Sequence, residues 1–408
     1  MAKTPYDAVL EAAGDLPGVD TALAAEMFGA ALLGSVYAVA EGERAEVVRD
    51  FVAGFLQYTA RRRTPVARVV RSVFASLVPE AGQVRPSAAP DLPPWLSQVG
   101  RVRLVGSWAY GDVYGDQTSY LASFAYEQPE LGGSEHAVVV LVDHNIGIVK
   151  DMFVGEPADR LITEVQRATG ADDLVWLSEV DPATMRAQVE AYLAITDGLS
   201  ELPDGGAMAT DRMLAGARLA LLPPGETVEL PRAEPDPGLV EEFLTTPAAA
   251  GLLSAGAPEA SVRYAIRLIL DFAQDAPDAD PLRWSPAVVG LFLLDWVHRR
   301  ALLDADDVAV LPDVLRAWAV WASHRRGLPA AAIAGTEEAI DVMAPEFTRL
   351  YRSGERRDPA VNAVARLLAD GINPEDEAAV RDWLAAHPDA AEPPDSQNGL
   401  GGRVPRPR

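Results

Sequence analysis

The chain contains no cysteine, which excludes disulfides, thiolate metal sites and thiol nucleophiles together. Lysine is nearly absent too: Lys3 and Lys150 stand alone among 35 basic residues. Together with abundant alanine, glycine and proline, that bias is what GC-rich coding produces, and it carries no functional weight. Positive charge as a whole is scarce, with 60 acidic residues and a net charge of −25. Its distribution is uneven. Residues 95–205 hold 18 acidic and 6 basic side chains, 238–350 hold 16 and 9, and 1–80 hold 10 and 8. Nucleic-acid affinity rests largely on Lys and Arg neutralising phosphates, so an acidic centre argues against DNA or RNA as a partner.

Long hydrophobic runs are missing as well. The start, M-A-K-T-P-Y-D-A-V-L-E, lacks the basic beginning and apolar core of a signal peptide. Met27–Ala40 is uncharged but shorter than the roughly 20 residues that span a bilayer. Phe243–Pro258 is also uncharged, yet Pro247, Gly251 and Gly256 punctuate it as turns would. A cytoplasmic protein without membrane association is expected. The sequence signatures of phosphate-binding loops, serine hydrolases, zinc proteases and EF-hands are absent. Three glycines between Gly106 and Gly115 have the wrong spacing for a dinucleotide fingerprint. ATP, GTP and NAD chemistry thus has no support in the sequence.

What is present is mostly helical pattern around one β-rich stretch, about Val105 to Val154. In residues 1–80, Asp20 is placed to cap a helix with the stripe Leu23, Met27, Phe28, Leu32, Val36 and Val39. A second helix starts near Arg44, and Thr64-Pro65 opens a third. Arg61, Arg62 and Arg63 read as cations at a helix C-terminus. A proline-rich linker over 81–94 is expected to separate these helices from an α+β domain at 95–201. There, Ser119–Tyr126 alternates and Ala137–Val142 reads as a strand covered on both faces. Three or four antiparallel strands are expected, with helices at about Ala158–Thr169 and from Asp181-Pro182. A Pro/Gly-rich connector with a short helix occupies 202–238. A helical bundle follows over 239–387, with starts at Thr246-Pro247, Ser285-Pro286, Asp304–Asp307, Asp358-Pro359 and Asn373-Pro374. Residues 388–408 lack an apolar pattern and are expected to be a disordered tail. The fold class that results is α+β and mostly helical, two helical regions flanking a small antiparallel-sheet domain.

One set of polar residues stands out: Asp112, Asp116, Asp143, His144, Asn145, Lys150 and Asp151. Carboxylates with an imidazole suit a divalent metal, and strand ends are where sites are commonly built. Asp112, Asp116, Asp143 and His144 are the candidate metal ligands; Asp143, His144 and Asp151 are the candidate catalytic residues. Against this, Asp and Asn often serve turns through their own backbone, and adjacent residues of a strand diverge. His136, His298, His324 and His387 read as structural. Trp284, Trp296, Trp318 and Trp321 offer a second candidate, an apolar groove for a partner, although such spacing is more often core.

The segments D-V-Y-G-D-Q, V-V-L-V-D-H-N-I-G-I-V-K-D and R-W-S-P-A-V-V-G-L-F-L-L-D-W resemble a family of acidic proteins of about this size from GC-rich actinobacteria. The resemblance runs from the first helices to Phe347. It implies that the three regions form one unit, and it transfers no activity, ligand or catalytic residue. The leading expectation is a non-enzymatic protein that acts through a protein partner, in a regulatory or binding role and without a cofactor. The alternative is a metal-dependent hydrolase using Asp112, Asp116, Asp143 and His144 as ligands and Asp151 as base.

Overall fold

The computed structural model describes residues 3–84, 90–228, 238–356, 358–373 and 376–387. The tail expected at 388–408 lies outside them. The chain divides into two compact units, Met1–Arg232 and Ala233–Arg408, and the fold class is α+β and mostly helical.

The first unit opens with four helices: α1 (Pro5–Ala12), α2 (Ala22–Val39), α3 (Arg44–Thr59) and α4 (Pro65–Leu77). Thr64 caps α4 as its sequence suggests. α2 is capped by Thr21 rather than Asp20, its hydroxyl accepting from the Ala24 amide. Of the large-residue stripe, Leu23 is buried and Met27, Phe28, Leu32 and Val36 pack partly buried against the core. Ala25, Gly29, Ala30 and Gly34 are buried while Val39 is 80% exposed. At Gly34 only glycine fits, because the backbone there runs against Ala209: a Cβ would sit 2.3 Å from the Ala209 carbonyl oxygen. α2 has the length and composition of a membrane span, yet it contributes Leu23, Ala30, Leu33 and Tyr37 to the unit's hydrophobic core.

Beyond these helices lie β1 (Val102–Asp112), β2 (Gln117–Tyr126), a single turn α5 (Pro129–Gly132), β3 (His136–Asp143), β4 (Ile148–Gly155), α6 (Ala158–Thr169), β5 (Val175–Glu179), α7 (Pro182–Asp197) and α8 (Arg212–Leu219). The sheet is antiparallel throughout, in the order β4-β3-β2-β1-β5. One face presents Tyr120, Ala122, Phe124, Val138, Val140 and Met152 to the core that also holds the residues of α2, α4, α7 and α8. A single core therefore joins the helices of 1–80 to the strands, and the linker expected at 81–94 does not divide two cores. Met208, Met213, Leu214 and Leu219 lie in the same core. Most of the expected 202–238 connector thus packs as part of this unit.

The second unit contains α9 (Gly238–Leu244), α10 (Pro247–Ser254), α11 (Glu259–Asp275), α12 (Pro286–Leu291), α13 (Val297–Arg300), α14 (Ala305–Arg325), α15 (Ala330–Ser353), α16 (Pro359–Ala369) and α17 (Glu377–Ala386). Thr246, Ser285, Asp304 and Asp358 cap the helices they precede. The start expected at Asn373-Pro374 is replaced by Asp376, which caps α17. A π-helical turn, Phe292–Trp296, joins α12 to α13 and keeps Phe292, Leu293 and Trp296 buried. Pro312 lies inside α14, well past its first turn, and is itself buried. The start lies where the sequence places it, at the capping box of Asp304 and Asp307.

Candidate functional site

The polar residues of the sheet end are each tied to local structure. The Asp112 carboxylate closes the β1–β2 turn by accepting from the amides of Gly115, Asp116 and Gln117 at 2.8, 3.0 and 2.8 Å. The Asp116 carbonyl accepts from the His144 amide at 2.9 Å, which extends the β2–β3 ladder by one pair. Asp143 is buried; it accepts from Gln117 Nε2 at 2.9 Å and from the Asn145 amide at 3.1 Å, with Lys150 Nζ at 3.5 Å. The His144 ring turns another way, with Nδ1 3.0 Å from the Tyr192 hydroxyl and Nε2 2.9 Å from the Thr118 hydroxyl. Asp151 accepts from the Met152 amide at 2.8 Å. Beside this cluster the Tyr120 phenol is pushed up to about 12 by burial and by the neighbouring Tyr192, so it stays protonated.

Among the described residues, no group of three or more His, Asp or Glu side chains is placed to hold a metal ion. Asp112, Asp116, Asp143 and His144 are neighbours in the fold without sharing a coordination centre. The physical reason is competition. Asp112 spends its lone pairs on three turn amides, and both His144 nitrogens are engaged by hydroxyls. The candidate catalytic residues Asp143, His144 and Asp151 are held apart in the same way: Asp143 by Gln117 and Asn145, His144 by Tyr192 and Thr118, and Asp151 by the Met152 amide.

Sequence reasoning missed the most deeply buried polar network. Glu26 on α2 pairs with Arg218 on α8, and the two are 0% and 2% exposed. The Tyr126 hydroxyl donates to Glu26, and the Gly100 amide donates to it at 2.7 Å. Arg218 Nε donates to His136 Nε2 at 2.9 Å. His136 Nδ1 faces the Ser134 carbonyl at 3.4 Å, so the ring is neutral with its proton on Nδ1. Burial, followed by the Arg218 charge, lowers His136 to about 4, and burial followed by Glu26 raises the Tyr126 phenol. A second lock joins Arg212, Asp197 and the Tyr37 hydroxyl, with Arg44 donating to the carbonyls of Asp197, Leu199 and Ser200. A lone Glu26 inside an otherwise uncharged helix was the one available signal. The first network ties α2 to the sheet and to α8, and the second ties α2 and α3 to α7, α8 and the segment after α7.

The tryptophan candidate resolves differently. Trp284, Trp296 and Trp318 are core residues, whereas Trp321 is half-buried and lines an open groove of about 590 Å³. The floor is apolar: Ala248 and Leu252 on α10, with Ala317, Val320 and Trp321 on α14. Asp313, Arg316, His324 and Glu337 stand around it. Arg316 is held by Asp341 and lies 4.0 Å from Asp313, both acids being about two-thirds exposed at 65% and 64%. Arg325 pairs with Glu242. The nearby cations are thus engaged by acids, and the surplus charge at the rim is negative.

No family model, curated protein or solved structure matches the chain.

Proposed function

We propose that this chain is a non-enzymatic, cytoplasmic protein-binding protein, and that the α10–α14–α15 groove seats the apolar face of a partner's helix. The groove carries this reading. Its volume of about 590 Å³ is in the range of sites that take a few apolar side chains. Grooves between helices commonly receive amphipathic helices through side chains spaced by three and four residues. Asp313, Glu337 and Asp341 at and beside the rim favour a helix whose apolar stripe is flanked by Lys or Arg. The concentration of acid along the chain supports the same partner chemistry.

The test is direct binding of a labelled amphipathic peptide with a leucine stripe and lysine flanks, followed by fluorescence anisotropy. Ala317→Arg places a long cation on the groove floor and should weaken binding at least about tenfold while far-UV circular dichroism stays unchanged. Equal binding by wild type and Ala317→Arg would remove the groove from the function.

A further inference from the structure

The two edges of the sheet are finished in opposite ways. On β4 the outward amides are already bound. Val149 donates to the Thr196 hydroxyl at 2.8 Å, Met152 to Asp151 at 2.8 Å and Val154 to Asp211 at 3.0 Å. An edge whose donors are occupied by side chains resists pairing with another strand.

The other edge, β5, is different. Val113 donates to the Leu174 carbonyl at 2.8 Å and Val180 to the Ser107 carbonyl at 3.1 Å. With the β1–β5 register, these bonds turn the backbone groups of Trp176 and Ser178 toward β1, and those of Val175, Leu177 and Glu179 outward. The Val175 amide is taken by the Asp172 carbonyl at 3.3 Å. The amides of Leu177 and Glu179 have no partner among the described residues. No residue of β5 is buried, and Trp176 is 37% exposed. The run Ala171–Asp181 carries Asp172, Asp173, Glu179 and Asp181 and no basic residue.

We propose that the outer edge of β5 is a strand-addition site for an extended, basic segment of a partner protein. Main-chain pairing with Leu177 and Glu179 supplies the contact, and Arg or Lys at alternate positions meets the acids at the two ends of the strand. A second copy of this chain is disfavoured as occupant, because it would set the same acidic run against itself. This site is independent of the groove in the second unit.

Fluorescein-labelled ten-residue peptides of alternating valine and arginine, and the same design with glutamate for arginine, would be titrated into the full chain. The arginine peptide binds saturably and the glutamate peptide at least about tenfold more weakly. N-methylation of alternate peptide amides removes main-chain donors without touching the protein, and should weaken binding by a similar factor. Leu177→Pro, which deletes one outward amide, should do the same, while Ala317→Arg leaves this binding unchanged. Absence of binding overturns the proposal, as does equal affinity of the N-methylated peptide, which would mean charge attraction alone. Equal affinity of the glutamate peptide overturns the basic partner. A concentration-dependent dimer that Leu177→Pro abolishes in sedimentation overturns it in favour of a second copy.

Discussion

The two compact units are held together by different chemistry. In the first, distant segments meet across buried charge: Glu26 and Arg218 lie 192 residues apart, and Asp197 gathers Tyr37 and Arg212. In the second, indoles do the corresponding work. Trp284 and Trp318 both donate to the Pro281 carbonyl, at 2.9 and 2.8 Å, and Trp296 donates to Asp275 at 2.8 Å. Phe243, Trp318 and Trp321 cluster with ring centroids 4.9–5.5 Å apart. The contrast has a physical meaning. A helix that must lie on a sheet in one register benefits from a directional pair that only one partner can satisfy. A bundle of helices closes on volume, and a single carbonyl suffices to orient two large rings.

The sharpest way to break this contrast is to unpair the first lock. Arg218→Met leaves Glu26 buried without its cation and should cost the first unit about 3–5 kcal/mol. The double variant Glu26→Met, Arg218→Met should recover most of that loss. Amide exchange in α2 and β2 peptides measures it locally; a single-variant cost below about 1 kcal/mol would show that the pair is not a lock.

In the second unit, Trp318→Ala should cost about 3–5 kcal/mol through the cavity it leaves. Trp318→Phe keeps most of the ring volume and loses the bond to Pro281, for about 1–2 kcal/mol. Equal costs in α11 and α14 exchange would mean that the indole bond, not volume, dominates.

A pH ramp separates the units next. His136 has a folded value near 4 against an ordinary 6.5, so between these the unfolded chain binds the extra proton. Its contribution is intact above about pH 6.5, falls as pH drops, and is fully lost below about pH 4, in all about 3 kcal/mol. Stability of the first unit against pH should therefore slope upward in this window, and His136→Gln should flatten it. An unchanged slope would place the titration elsewhere.

The smallest expected effect concerns the β1–β2 turn that Asp112 closes. Asp112→Ala removes the acceptor for three amides and should cost about 1–2 kcal/mol, comparable to loss of a helix cap. Mg²⁺, Mn²⁺ and Zn²⁺ should leave thermal stability unchanged. A stabilisation by one of these ions that disappears in Asp116→Ala, His144→Ala would restore the metal reading.

Much of the local structure was legible. Thr64-Pro65, Ser285-Pro286 and Asp304 mark helix starts because capping involves only neighbours in the chain, and Ala137–Val142 reads as a buried strand from its composition. Less was legible wherever a remote partner decided the outcome. Gly34 of α2 lies against the Ala209 backbone, and nothing near Gly34 announces that. Likewise, the sequence brings Asp112, Asp116, Asp143 and His144 to one end of the sheet without fixing where their side chains turn. Their side-chain directions depend on Thr118, Tyr192 and Lys150, which periodicity alone does not place.

By itself the sequence determined the α+β, mostly helical class and most helix starts. These follow from short-range rules: apolar period, capping hydroxyls and strand alternation. Only the tertiary structure decided that the first helices and the sheet share one core, and that Glu26 meets Arg218. It also decided that Trp321 lines a groove while Trp284, Trp296 and Trp318 are buried in the core, and that among the described residues β5 keeps open amides where β4 has bound ones. Those outcomes depend on which distant groups satisfy a buried charge, a backbone donor or a void, and no local pattern encodes the partner.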